Sequence, residues 1–376
     1  MTTPPETRSA RERVFDALKQ GSATRPELAQ RTGLSVVSVI AATDELIETG
    51  LVALDDTPPP TGRGRPAAKV RLRLDAHTIT TIDLGTPEVI AGRYNLLGQR
   101  LFTDAPRAHG SPFTLYDQSP EKNVDRLYQW LADQGPAQLS VISVLGAVHP
   151  RTRRIHSYPL NLKDHPLEHE LSQRLGWPVL VENDANLSAW QMWHTLKLSK
   201  DDPLVFLNFS AGIGLGMVLG GQIYYGSTGA AGEVSYAADP EKRGRHDILA
   251  RKLLKHLHSV LPHSNTSQVA ALAAEGNKAA LRALKRFNQD LANHLTAVAA
   301  VLDPTVMVLQ DLPHAAGPLL EEVRRALTDL DLPTKVIISP LGPYGGLDSA
   351  GAYGAAWLER VRLGLAEGPV TRPEPL

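Results

Sequence analysis

The chain has 376 residues, of which 42% are apolar and 21% charged, and its 39 Lys+Arg against 40 Asp+Glu leave a formal net charge of −1. At ~100–200 residues per domain this length predicts two to three domains with ample apolar material for a core, and the charge balance confines any nucleic-acid surface to a local patch. The lack of cysteine excludes disulfides, thiolate catalysis and cysteine-ligated zinc. No apolar run approaches the ~18–20 residues of a membrane span, and the polar opening MTTPPETRSARER lacks the apolar stretch of a secretory signal. A cytoplasmic protein with no membrane partner is expected.

Three helical patterns come first. Val14, Phe15 and Leu18 recur at helical spacing over Ser9 to Lys19, and Gly21 stops the run. Thr24 reads as an N-cap, with Pro26 in the first turn and Glu27 completing a capping box. Leu28 and Ala29 face inward on this short helix, which ends at Gly33. Ser35 caps the next helix, whose buried stripe is Val39, Ala42, Leu46 and Ile47 and which Gly50 ends. A short helix, a tight turn and a longer helix make a helix-turn-helix candidate. Leu51 to Leu54 and the alternating KVRLRL of Lys69 to Leu74 read as the strands of a wing. Between them DDTPPPTGRGRP cannot be helical. Its Arg63 and Arg65, flanked by glycines, suit insertion into the narrow, negative minor groove of A·T-rich DNA. Arg25, Ser35, Val36, Val37 and Ser38 complete the expected DNA-facing set. The exposed face of the third helix offers no Arg, Asn or Gln of the kind that reads base edges bidentately, which shifts the expected weight to phosphate contacts and the wing. The competing reading is a three-helix bundle that binds protein or nothing, with GRGRP as a solvated linker.

After Leu74 the pattern becomes α/β. Strands are expected at Thr78 to Leu84, Val89 to Asn95 and Arg100 to Thr103, with Asp83 and Gly85 in the first turn as in an actin-like phosphate-binding start. A helix at Val124 to Gln134, a strand at Ser140 to Leu145, a helix at Leu167 to Leu175 and a strand at Val179 to Val181 lead into Glu182-Asn183-Asp184-Ala185-Asn186 and a further helix. The theme then repeats: a strand at Leu204 to Ser210, the glycine-rich AGIGLGMVLGGQIYYGSTGAAGEVSY, helix over most of Ala270 to Val301, strands at Val306 to Leu309 and Val336 to Ser339, and a closing helix at Ala350 to Leu363.

These segments together resemble the ROK family (repressor, open reading frame, kinase) in its regulator branch. TTIDLGTPEVIAGRYNLLGQ resembles the family's first phosphate motif, VENDANLSAW its substrate motif, and the glycine-rich stretch its second phosphate motif with the approach to a substrate-binding glutamate. The resemblance implies an α/β chain: an N-terminal winged helix-turn-helix followed by a two-lobed actin-like (ribonuclease H-like) sugar-kinase fold. The expected division is residues 1–58 for the winged module with its wing completed by 69–74, 59–68 for the linker, 75–197 plus 345–366 for the first lobe, and 198–344 for the second. It also implies that Asn183, Asp184 and Glu233 hold sugar hydroxyls, and that Asp184 matches the carboxylate that takes the hydroxyl proton in family kinases.

Departures from the family pattern decide the expected activity. Asp83-Leu84-Gly85-Thr86-Pro87 stands for Asp-x-Gly-Gly-Thr, Ser210-Ala211-Gly212-Ile213-Gly214 for Gly-Thr-Gly-Ile-Gly, and Gln310-Asp311 for an adenosine-contacting Gly-Gly. Proline removes both a hydroxyl and a backbone donor, and phosphoryl transfer depends mostly on positioning and charge stabilisation. Ser235-Tyr236 replaces the family's Gly-His, and ADPEKRGRHDILARK replaces its cysteine-rich zinc motif. His246, His256, His258 and His263 are read as surface or packing residues rather than a replacement metal cluster. The expectation is a dimeric DNA-binding regulator, a repressor, with double-stranded operator DNA and itself (homodimer or dimer of dimers) as partners, a sugar-like effector in the cleft, no catalytic residues, no metal and no cofactor. The alternatives are a regulator without a small-molecule ligand and a sugar kinase carrying a regulatory domain.

Overall fold

The computed structural model describes residues 8–55, 67–84, 89–103, 119–157, 160–208, 213–234, 248–262, 264, 266–342 and 344–365. It begins with α1 (Ala10–Leu18), the two-residue strand β1 (Ala23–Thr24), α2 (Arg25–Thr32) and α3 (Val36–Glu48). The expected capping box at Thr24 forms, and a second, unexpected one forms at Ser9. Ser9 N–H donates to the Glu12 carboxylate at 2.8 Å, and Thr24 N–H to that of Glu27 at 2.7 Å, satisfying donors that a helix start leaves open. Gly33, at φ 67°, closes α2 in the left-handed conformation, and Ser35 Oγ accepts from Ser38 N–H to cap α3. β2 (Val52–Leu54) and β3 (Lys69–Leu72) pair antiparallel, and β3 alternates Lys69 and Arg71 outward with Val70 and Leu72 inward. Two features differ from expectation. The β3 strand ends at Leu72, and Leu74–Ala76 forms a short 3-10 turn. β1 pairs with the other edge of β3, making a three-stranded sheet.

β4 (Ile79–Asp83), β5 (Ile90–Tyr94) and β6 (Arg100–Thr103) form an antiparallel meander, followed by α4 (Pro120–Asp133) and β7 (Leu139–Val144). A small antiparallel sheet of β8 (Ala147–Val148), β9 (Ile155–Ser157) and β10 (Leu162–His165) precedes α5 (Leu167–Leu175), β11 (Val179–Asn183) and α6 (Asp184–Thr195). Then come β12 (Leu204–Asn208), β13 (Gly214–Leu219), β14 (Gln222–Ile223), α7 (Ile248–His258), α8 (Thr266–Ala274), α9 (Lys278–Leu302), β15 (Val306–Leu309), α10 (Ala316–Thr328), β16 (Lys335–Ile338) and α11 (Gly345–Arg362).

The two five-stranded sheets share one topology. The first is ordered β11-β7-β4-β5-β6 and the second β14-β13-β12-β15-β16. In each, a meander supplies the antiparallel half, and two later strands add in parallel to its first strand. β4, β7, β11 and β15 are buried along their whole length, as strands covered on both faces must be. α6 packs on β12 and β13, α11 packs on β4, β5 and β7, and the two helices pack on each other.

The expected long helix over Ala270 to Val301 is in fact two. Gly276 (φ 88°) breaks it, and the Asn277 side chain caps α9 by accepting from Ala279 and Ala280 N–H. α11 starts five residues before the expected Ala350. Its glycines serve close packing rather than a turn: a Cβ on Gly346 would lie 2.4 Å from Asp83 Oδ2, and one on Gly351 as close to the Tyr94 ring.

One apolar core runs from Val14, Phe15, Leu28 and Leu46 of the helical unit into Ile79, Tyr94, Leu347, Leu358 and Leu363. Polar contacts cross the same junction: Lys19 Nζ to Glu359 Oε1 at 2.9 Å, and His77 Nε2 with Gly50 O at 2.9 Å. A second core fills the space beneath α7 to α10. Among the described residues no helix is long and apolar enough to cross a membrane.

Candidate functional site

The start of α6 contributes Asp184 and Ser188 to the lining of a cleft, next to the C-terminal end of β11. Asn183 sits at the junction, held in extended backbone as the N-cap of α6. Its Oδ1 accepts from Asn186 N–H at 2.9 Å, while its Nδ2 donates to Gly146 O at 3.0 Å and to Glu233 Oε1 at 3.1 Å. Asp184, the first residue of α6, is buried. Its Oδ1 accepts from Ala185 N–H at 2.9 Å, and its Oδ2 from Asn208 Nδ2 at 2.6 Å. Asp83, at the end of β4, accepts from Ser143 Oγ at 2.8 Å. Asp83, Asp184 and Asn208 line one cleft with Ser188, Gln310 and Asp311.

The electrostatics follow from burial. Removal from water pushes Asp184 up to about 8, and the negative charges of Asp83 and Glu233 push the same way. Burial alone raises Glu233 to about 7. Carboxyl groups that keep a proton near neutrality offer both a donor and acceptors, the combination that a polyhydroxylated ligand uses.

Behind this site lies a buried hub that sequence reasoning misses. Glu182 accepts from Asn183 N–H (2.9 Å), Asn186 Nδ2 (3.2 Å) and Tyr225 OH (2.9 Å), and the Arg153 guanidinium lies 3.5 Å away. Arg153 also pairs with Glu168 at 3.1 Å, and Glu168 in turn accepts from Val181 N–H at 3.0 Å. The hub fixes the backbone that presents Asn183 and Asp184. Only Glu182 carries a sequence signal, through its place in the ENDAN run. Arg153 sits in the β8–β9 loop with φ 54° and no local signal.

A second surface is built by α3. Val36, Val37 and Ile40 are 46%, 77% and 40% exposed. Ser35 and Ser38 are bonded to each other at 2.8 Å beside them. Arg25 lies at the start of α2. Its guanidinium bonds Thr43 Oγ1 at 3.0 Å and Asp44 at 2.7 Å, so it ties α2 to α3. Arg63 and Arg65 lie outside the described residues, as do Thr86, Pro87, Ser210, Ala211, Ser235, Tyr236, His246 and His263. His256 is bonded to Asp290 at 2.9 Å. Among the described residues, no three His, Asp or Glu side chains are grouped so as to hold a metal ion.

Residues 113–244 match the ROK family. The match covers about a third of the chain. The chain's relatives fall on both sides of the family's division. The xylose repressor of Bacillus subtilis (strain 168) is 23% identical over 323 residues, 81% of this chain and 82% of the repressor. The bifunctional enzyme NanE/NanK of Brucella melitensis is 31% identical over 206 residues, 52% of this chain but only 38% of the enzyme's length. The fold matches that of a ROK family transcriptional regulator, a homologue of the E. coli MLC protein. Its TM-score is 0.67 at 19% identity, covering 94% of this chain and 98% of that one.

Within this ROK frame, Gln310 and Asp311 stand directly after β15 and line the cleft.

Proposed function

We propose that this protein is a ROK-type DNA-binding transcription regulator, a repressor, acting as a dimer and sensing a sugar-like effector in a kinase-derived cleft that it does not use for phosphoryl transfer. In this reading residues 8–74 are a winged helix-turn-helix, α3 is the helix that enters the major groove, and the two five-stranded sheets are the actin-like lobes. The observation that carries it is the arrangement of α2, the Gly33 turn, α3 and the β2–β3 hairpin on a core shared with the first sheet. Two-fold symmetry of the dimer requires an approximately palindromic operator with half-sites a whole number of helical turns apart. Asn183, Asp184 and Glu233 hold sugar hydroxyls, and closure of the cleft around them changes the spacing of the two DNA-binding modules.

The test is fluorescence-anisotropy binding to DNA from the protein's own upstream region, across a salt series, with Arg63→Ala/Arg65→Ala alongside. Tight, salt-dependent binding that the double variant weakens is expected. Binding no tighter than to random DNA overturns the reading.

A kinase is the second reading, and one observation favours it. Asp184 is buried at a pKa of about 8, close to what a general base near neutrality requires. Against it stand Pro87 and Gln310-Asp311. ATP turnover with a hexose, abolished by Asp184→Asn, would establish it.

A further inference from the structure

The solvent face of α3 changes character along its length. Val36, Val37, Ile40 and Ala41 fall on one stripe at i, i+1, i+4 and i+5, and all four are exposed. The same stripe continues as Asp44, Glu45 and Glu48, also exposed. The first two turns therefore carry no charge, and the last two carry three carboxylates. Two of those are held by cations of neighbouring helices, Asp44 by Arg25 at 2.7 Å and Glu45 by Arg11 at 3.2 Å.

This polarity gives the helix an orientation towards a polyanion. Phosphates repel the acidic end, while the start of the helix presents the positive end of its dipole with no acidic side chain in the first turn. The exposed stripe near that start holds no side chain that bonds a base edge bidentately, so its aliphatic groups carry whatever discrimination it has. A protein partner is a poor fit. A stable protein–protein interface removes about 800 Å² per partner, and two valines, an isoleucine and an alanine supply a small part of that. Among major-groove base edges, the apolar feature of matching size is the 5-methyl group of thymine.

We infer that Val36, Val37 and Ile40 read thymine methyl groups in the major groove, so that the partner is duplex DNA carrying thymines where the start of α3 enters. This rests on the regulator reading above and assigns its sequence preference to apolar contact.

The test compares the upstream fragment made with thymidine against the same fragment made with deoxyuridine, which removes every 5-methyl and keeps base pairing and phosphates. Anisotropy titrations use the full-length protein and the Val36→Ala/Val37→Ala variant, whose exposed substitutions leave the core untouched; an unchanged melting temperature verifies the variant's fold. The wild type should bind the deoxyuridine fragment more weakly, by about fourfold for each methyl group that the valines or the isoleucine would otherwise cover. In the variant that difference should shrink to what Ile40 alone covers, with its affinity for the thymidine fragment falling towards the wild type's affinity for the deoxyuridine one. Equal wild-type affinity for both fragments overturns the inference and leaves the regulator reading standing. A difference that persists undiminished in the variant also overturns it, assigning the effect to DNA shape. Binding to neither fragment overturns the regulator reading, and this inference with it.

Discussion

Asn183 Nδ2 donates to Glu233 Oε1 at 3.1 Å, joining the end of β11 to a residue fifty positions later that follows the hairpin of the second sheet. The same side chain caps α6 through its Oδ1 and holds Gly146 O through its Nδ2. It therefore sets helix start, loop position and carboxylate position together. A ligand that competes for Glu233 would alter a contact that spans the two sheets.

If the cleft binds a sugar, replacing Glu233 or Asn183 removes hydrogen bonds without opening a core cavity. Glu233→Gln should cost about tenfold or more in affinity, since bonds to groups able to ionise are worth roughly 1.5–3 kcal/mol each. The measurement is a thermal-shift screen of hexoses, pentoses and N-acetylated amino sugars followed by calorimetry, because preferential binding to the folded state must raise the melting temperature. A flat screen at millimolar concentrations would favour the ligand-independent regulator.

The two raised carboxyls make a prediction with a definite sign. In the unfolded chain Asp184 and Glu233 ionise near their ordinary values of 3.8 and 4.5, and folded they hold protons to about 8 and about 7. Between those limits the native state binds more protons than the unfolded one, so stability falls as pH rises from about 4 to about 8. The slope is at most ~1.4 kcal/mol per pH unit per group, and the pair titrates jointly. Asp184→Asn, which cannot ionise, should flatten the profile over pH 5–8 relative to wild type in urea titrations. Parallel profiles would mean that Asp184 keeps its ordinary ionisation in the folded protein.

Arg153 holds two carboxylates that have no other cation within ion-pair distance among the described residues, Glu168 at 3.1 Å and Glu182 at 3.5 Å. Arg153→Met should destabilise by about 3–5 kcal/mol, because it leaves buried charge uncompensated. Adding Glu182→Gln should recover part of the loss. Arg153→Lys should not restore wild-type stability, since a single ammonium cannot fork to both partners. The check is a set of urea midpoints with unchanged m-values.

Gly216 has no side chain because α6 lies directly on β13. A Cβ there would sit 1.9 Å from Ala185 O and 2.8 Å from Ala189 Cβ. Gly216→Ala should cost about 3 kcal/mol or more by forcing α6 outward, and should displace Asp184 with it. Gly214→Ala, on the same strand, is the control. Its Cβ would meet only Ala185 Cβ at 3.7 Å, an ordinary van der Waals contact, so it should change stability by no more than about 0.5–1 kcal/mol. Equal losses at both positions would show that chain stiffness, not the close approach, governs the effect.

What can be foreseen depends on whether a residue's role is local. The capping boxes at Ser9 and Thr24, the Gly33 stop and the alternation of Lys69 to Leu72 are decided by neighbours in sequence, and each is legible there. β1 is two residues long and carries no period of its own; it exists because β3 has an open edge. β8 to β10 are also short, and carry too few residues to show a period. The glycines that open α11 read as loop by propensity, yet they lie in a helix, and Leu341 and Asp83 leave no room for a side chain on either. In the site, Asn183, Asp184 and Glu233 are legible by resemblance, and the structure brings all three together. The bonds of Arg25 to Thr43 and Asp44 are not legible in sequence because those partners lie on another helix.

The junction between the helical unit and the first sheet decides whether the cleft and α3 can influence each other. α11 begins against Asp83 at the cleft and ends beside α1, where Glu359 accepts from Lys19 at 2.9 Å. Burial opposes the lysine's charge, but bonds to Glu359 and Asp16 outweigh it and raise its pKa above the ordinary value. The exposed pair itself is worth at most about 1 kcal/mol. The apolar contacts matter more: Leu358 and Leu363 are buried in the core that Val14 and Phe15 share. Leu358→Ala should therefore cost about 2–5 kcal/mol. Hydrogen exchange should then quicken in α1 and α3 as well as in α11, because all three draw on one core. Exchange that quickens in α11 alone would show that the helical unit holds itself together. In that case a ligand in the cleft would have no rigid path through this helix to the exposed face of α3.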